Sequence, residues 1–246
     1  MLAQSKQADI DDQGNWPAWY LPYESRSNYK TTWTMLSETA ELAMLHVCGT
    51  IDESAMRLSA EDTRRQLQAT VGIHSDDTVL EIGCGIGRVG QEVAPLCQRW
   101  IGADVSPKMI GFARERLREN SNVEFVEMSG YDLSPVPSQS VSVAYCTVVF
   151  MHLTTWDRFA YVQEAYRVLR PGGRLFVDNI DLCTEHGRLE FQVAASIPRH
   201  RRPAHIGELS TPQELETYLK WAGFQDVTCE TYLGKWASAW GVRPRV

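Results

Sequence analysis

Residues 78–88, TVLEIGCGIGR, constrain the fold of this 246-residue chain more than any other stretch. Thr78, Val79 and Leu80 read as a buried strand, with Glu81 near its end. Gly83, Gly85 and Gly87 crowd the turn that follows, and RVGQEVAPLC behind them has helical spacing. Glycines between a buried strand and a helix let the backbone turn sharply and bring its N–H groups close to a ligand.

The grammar repeats downstream. RWIGADV reads as a strand, then SPKMIGFARERLREN as a helix with Ser106 as N-cap and Pro107 at its first position. NVEFVEM and VSVAYCTVVF read as strands, TTWDRFAYVQEAYRVLR as a helix and GGRLFVDNI as a strand. STPQELETYLKWAG is a helix led by Ser210 and closed by Gly223, and FQDVTCETYL with GKWASAW reads as a closing antiparallel hairpin. Strands separated by helices imply βαβ units, hence an α/β fold with a doubly wound, Rossmann-like, mostly parallel sheet. Upstream, apolar residues from Trp33 to Val47 predict one helix over 31–49, stopped at Gly49, and a second over 59–71 starting at Ser59. The organisation expected is an N-terminal extension with lid helices over 1–56 and a catalytic domain over 57–246. Residues 181–209 form an insertion on its substrate side.

An apolar content of 43% supplies a sizeable core, and a formal charge of −7 disfavours a broad phosphate-binding face. The N-terminus shows no secretory h-region, and no apolar run approaches the roughly 20 residues that span a bilayer. Six scattered cysteines without a CxxC pair argue against a zinc ribbon or thioredoxin-type motif and fit free thiols in a reducing cytoplasm.

The glycine spacing departs from the dinucleotide fingerprint G-x-G-x-x-G, whose third glycine would fall on Arg88. That disfavours a nicotinamide oxidoreductase, and no Walker Gly-Lys-Ser/Thr follows. VLEIGCGIGR instead resembles the first motif of class I S-adenosylmethionine-dependent methyltransferases. The resemblance continues in order through IGADVSPKMIGFARERL, VEFVEMSGYDL, VSVAYCTVVFMHL and EAYRVLRPGGRLFV, over roughly residues 60–235. It implies S-adenosylmethionine as cofactor, S-adenosylhomocysteine as product and no metal. It also implies site roles. Gly83, Cys84, Gly85 and Gly87 would pack on the methionyl part, with Glu81 beneath it on the ammonium side. Asp104 would accept from both ribose hydroxyls. Val105 and Met109 would flank the adenine, Gly130 and Tyr131 would meet its edge, and Cys146 and Thr147 would close the pocket. Two positions depart from the pattern: Ser129 stands where many members carry an adenine-binding Asp, and Ser142 where an acidic residue is common.

The Asn/Asp-Pro-Pro-aromatic motif of nucleobase amine methyltransferases is absent after the fourth strand, and no separate protein-binding domain is visible. The expected acceptor is therefore a small organic molecule methylated at oxygen or nitrogen, with no nucleic-acid or membrane partner, by a monomer or homodimer. The alternatives are a protein or RNA methyltransferase and a catalytically silent cofactor-binding scaffold. Residues 16–33 hold Trp16, Trp19, Tyr20, Tyr23, Tyr29 and Trp33, an aromatic density suited to a lid that excludes water. Asp178 and Asn179 stand where they could orient an acceptor, and Arg199, in RHRRPAH, could take an anionic group. His152 follows the fourth strand and is the candidate general base.

Overall fold

A computed structural model describes residues 28–245. Trp19 and Tyr20, with the rest of the aromatic stretch before Asn28, lie outside the described residues. The chain runs α1 (Tyr29–Leu36), α2 (Ala40–Cys48), α3 (Glu53–Thr70), β1 (Thr78–Ile82), α4 (Arg88–Val93), β2 (Arg99–Asp104), α5 (Pro107–Arg116), β3 (Val123–Glu127), β4 (Val141–Cys146), α6 (Thr155–Val168), β5 (Leu169–Ile180), α7 (Glu185–Ser196), α8 (Pro212–Ala222), β6 (Gln225–Tyr232) and β7 (Trp236–Val242).

The strands form one seven-stranded sheet in the order β3-β2-β1-β4-β5-β7-β6. The first five are parallel, and β7 runs antiparallel between β5 and β6. This is the doubly wound sheet with a C-terminal antiparallel pair that the sequence pattern implies. Strand order reverses between β1 and β4, so the crevice for a ligand opens at their carboxyl ends.

Side-chain alternation divides the core. Leu80, Ile82, Ala144, Cys146, Leu175 and Val177 face α6 and α8, packing with Tyr161, Val162, Leu215 and Leu219. Val79, Trp100, Val143, Tyr145 and Phe176 face the other way, against Leu67 of α3 and Val89 and Val93 of α4. Glu81 and Asp178 share the parity of this second face. At the opposite end of the strands, Ser142 Oγ donates to Asp77 Oδ1 at 2.7 Å, and Arg174 donates to Asp77 Oδ2 at 2.7 Å. Asp77 thus supplies the carboxylate where Ser142 lacks one.

Three helix boundaries differ from expectation. The single helix expected over 31–49 is two, because Ser37 turns its hydroxyl onto the Trp33 carbonyl at 2.6 Å and Thr39 caps a new start by accepting from Leu42 N. Gly49 closes the second with φ 68°. The next helix begins at Glu53, since Asp52 accepts from Ser54 N and Ala55 N. In α8 the capping oxygen belongs to Thr211, while the side chain of Ser210 is buried in a polar knot with Arg158 and Asn179.

Candidate active-site cleft

A cleft opens at the switch point. Its floor is the loop after β1. Gly83 has φ 74°, and a Cβ there would lie 2.3 Å from Val149 Cγ2; Gly87 has φ 76°, and a Cβ would meet Leu117 Cδ1 at 2.4 Å and the Ala113 backbone at 3.2 Å. No side chain fits either place, so this loop can lie flat between β4 and α5 only with glycines. Gly83 therefore opens the cleft floor, while Gly87 serves packing and does not line the cleft.

Two buried carboxyls flank the loop. Asp104, ending β2, accepts from Gly85 N at 2.8 Å with Oδ2 and from Ser106 N at 2.9 Å with Oδ1. Burial pushes it up to about 6, against the pull of those N–H groups. Each carboxylate oxygen has a second lone pair, so both can still accept one further donor. Glu81 accepts from Tyr145 OH at 2.6 Å, and that hydroxyl accepts from Trp100 Nε1 at 3.2 Å. Burial pushes Glu81 up to about 8, so its carboxyl is largely protonated at neutral pH.

The opposite wall comes from the N-terminal helices and the loop after β4. Tyr29 and Trp33 of α1 and His46 and Val47 of α2 line it. Tyr29 OH donates to Asp157 Oδ2 at 2.6 Å and accepts from Thr154 N at 3.0 Å, pinning α1 to the start of α6. The loop contributes Thr147, Val148, Val149, His152 and Leu153. Val148 is β-branched yet has φ 61°, a strained conformation held by its N–H donating to the buried Asp178 Oδ1 at 2.7 Å. Burial pushes Asp178 up to about 7. His152 Nδ1 lies 2.9 Å from the His205 carbonyl oxygen, which can only accept, so Nδ1 carries the proton. The His152 ring also meets Trp33 edge-on, with centroids 4.7 Å apart.

The cleft brings together Tyr29, Trp33, Glu81, Gly83, Cys84, Gly85, Asp104, Val105, Met109, Gly130, Thr147 and His152 from the sequence-derived set. Other members fall elsewhere. Cys146 points into the α6-side core. Tyr131 is exposed at the rim, its ring 6.3 Å from that of Tyr29. Asp178 stands behind Val148. Asn179 faces away from the cleft: its amide donates to the Glu208 carbonyl and Ser210 Oγ, and its oxygen accepts from Ile180 N, which ties down the 181–209 insertion. Arg199 lies in an exposed turn of that insertion. Conversely, His46, Val47, Arg88, Val149, Leu153 and Tyr161 line the cleft without having been singled out. Arg88 drew notice only as a departure from a glycine pattern, and nothing local marks the others.

The family model described as "Methyltransferase domain" matches residues 79–173, from β1 into β5. The chain carries a methyltransferase domain. That domain is similar to a probable S-adenosylmethionine-dependent methyltransferase of Mycolicibacterium smegmatis, 32% identical over 152 residues, which cover 60% of this chain and 51% of the relative. It is also similar to the ubiquinone biosynthesis O-methyltransferase of Xanthomonas oryzae pv. oryzae, 28% identical over 60% of this chain and 62% of the relative. The chain thus spans about half to three fifths of these relatives' length. The fold resembles magnesium protoporphyrin IX methyltransferase from Synechocystis, with TM-score 0.63 and 17% identity, covering 87% of this chain and 99% of that one. Among the described residues, no three His, Cys, Asp or Glu side chains gather as metal ligands do, and no helix is long and apolar enough to cross a membrane.

Proposed function

We propose that this protein moves the methyl group of S-adenosylmethionine to an oxygen or nitrogen of a small organic acceptor, releasing S-adenosylhomocysteine. The observation that carries this reading is one continuous cleft. It has Asp104, with spare acceptor capacity, at its sheet side and an aromatic, histidine-bearing wall at the other. The residues fit the cofactor: a ribose diol offers two neighbouring donors to Asp104, and the flat glycine floor admits an extended thioether chain. When bound, the cofactor supplies an electrophilic methyl on a sulfonium.

The chain's own residues do the rest by placement. Transfer is an in-line displacement, which asks the protein to align a lone pair and keep water out; such positioning supplies up to roughly 7–11 kcal/mol of the barrier. Tyr29 and Trp33 screen the mouth of the cleft. His152, held through Nδ1 by the His205 carbonyl, stands in this wall as the candidate base for an acceptor arriving protonated. The names of relatives that methylate small molecules at oxygen support the acceptor class. We place the activity in the cytoplasm, with α1 and α2 closing over the domain formed by 57–246.

Calorimetric titration with S-adenosylmethionine, S-adenosylhomocysteine and NADH tests the reading. Micromolar binding of the first two and none of the third supports it, and a product-formation screen against phenols and amines then identifies the acceptor. Binding without turnover of any small acceptor favours the scaffold or a macromolecular substrate instead.

A further inference from the structure

Two histidines line the cleft, and the proposed transfer uses only His152. The other, His46, stands in the last turn of α2. Its Nε2 is buried and has no hydrogen-bond partner among the described residues. A shielded nitrogen left unpaired carries a desolvation cost that a partner in the cleft relieves. Burial also holds this ring below its ordinary 6.5, so it is uncharged at neutral pH. The insertion over 181–209 braces it. The His205 ring meets the His46 ring edge-on with centroids 5.4 Å apart, while the His205 carbonyl oxygen lies 2.9 Å from His152 Nδ1. One residue of the insertion thus touches both histidines, which reach the cleft from different elements.

An uncharged imidazole nitrogen is a donor or an acceptor according to its tautomer. A hydroxyl suits either, since it both donates and accepts. A carboxylate only accepts and an ammonium only donates, and each would bring a charge that this ring does not answer. On the proposed reading His152 serves the reacting atom, so the partner of His46 is a second polar group on the same molecule. Around the two rings, Tyr29, Trp33, Val149 and Leu153 offer a wall for a flat apolar frame. We propose that His46 hydrogen-bonds a hydroxyl of the acceptor that is not itself methylated, and that the acceptor is therefore an aromatic compound with that hydroxyl in addition to the oxygen or nitrogen that receives the methyl group. This inference rests on the proposed methyl transfer and narrows its acceptor.

The test uses matched acceptors with S-adenosylmethionine: phenol against the three benzenediols, and aniline against the three aminophenols, read as methylated product by mass spectrometry. For at least one pair the hydroxylated member should show a kcat/KM at least about tenfold above its parent, since a site built to bond a hydroxyl discriminates against the analogue lacking it. His46→Phe keeps a ring against His205 but no nitrogen. It should cut that advantage to about threefold or less, while the parent compound's kcat/KM and the calorimetric affinity for S-adenosylhomocysteine stay within about threefold of the wild type. Should His46→Phe fail to fold, His46→Leu must give the same collapse. A wild type with no more than the roughly twofold advantage that a second equivalent hydroxyl gives by counting overturns the proposal, as does an equal loss for parent and hydroxylated compound in the variant. A fall in S-adenosylhomocysteine affinity overturns it too, by handing His46 to the cofactor. So does a wild type that binds S-adenosylhomocysteine and methylates none of the eight compounds. A wild type that binds no S-adenosylhomocysteine removes the cofactor reading and this inference together, an outcome distinct from all of these.

Discussion

At Asp104 one carboxylate ties the glycine loop to the start of α5 and still faces the cleft. Asp104→Ala removes the acceptor for two buried N–H groups and, on the proposed reading, for a ribose diol. Affinity for S-adenosylmethionine should fall by more than about tenfold while circular dichroism reports an intact fold. An unchanged affinity would mean that the ribose lies elsewhere. Gly83 makes a second residue-scale case. Gly83→Ala forces a side chain into φ 74° and onto Val149 Cγ2, and should destabilise by about 1–3 kcal/mol in chemical denaturation. Val149→Ala should recover part of the loss, the part due to contact rather than to φ. Asp104 and the glycines were legible in the sequence because each is written into a strand-end motif of fixed spacing. His46 and Val149 were not, since what gives them a place in the cleft is contact across long stretches of chain.

Among elements, the loop after β4 matters most because it is both strained and load-sharing. Val148 holds a positive φ that a β-branched residue adopts only under constraint, and the constraint is one hydrogen bond from its N–H to Asp178 on the neighbouring strand. Asp178→Ala should cost about 1–3 kcal/mol by orphaning that N–H and freeing the loop. Val148→Gly, which accepts the conformation without strain, should make the same Asp178→Ala change less costly in a double-mutant cycle read by urea unfolding. Additive effects would mean that Asp178 acts independently of the backbone at 148. Element identity was largely readable from periodicity and capping residues, as α5 with Ser106 and Pro107 shows. The break between α1 and α2 was not, because apolar spacing runs across it unbroken. What interrupts the helix is Ser37, whose hydroxyl bonds back to Trp33 and packs 2.9 Å from Ser106 Oγ in a tertiary contact. Where Asn179 and Asp178 reach was not legible for a related reason: adjacent residues on a strand face opposite sides, and only pairing fixes which side is which.

For the whole molecule, the doubly wound, mostly parallel sheet was legible because alternating strands and helices admit few right-handed windings, whereas the charge state of the cleft depends on burial from several elements at once. Glu81, Asp104 and Asp178 are held up to about 8, 6 and 7 by that burial, against ordinary values of 4.5 for the glutamate and 3.8 for the aspartates. The folded chain therefore keeps protons that the unfolded chain has already lost. Their stabilising contribution is complete below about pH 4 and is lost as pH climbs through the folded values, so stability falls with rising pH. His46 and His186, held below their ordinary 6.5, act with the opposite sign, but their gain is complete once pH passes that value. Asp77 and Glu53, held low by their partners, act only in more acid solution. Between about pH 6.5 and 8.5 the cleft acids are left to set the slope, and the melting temperature of the ligand-free protein should decline across that window. Glu81→Gln keeps an acceptor for Tyr145 but cannot ionise, so its decline should be shallower than that of the wild type. Parallel curves for the two proteins would show that Glu81 is already charged in the folded state.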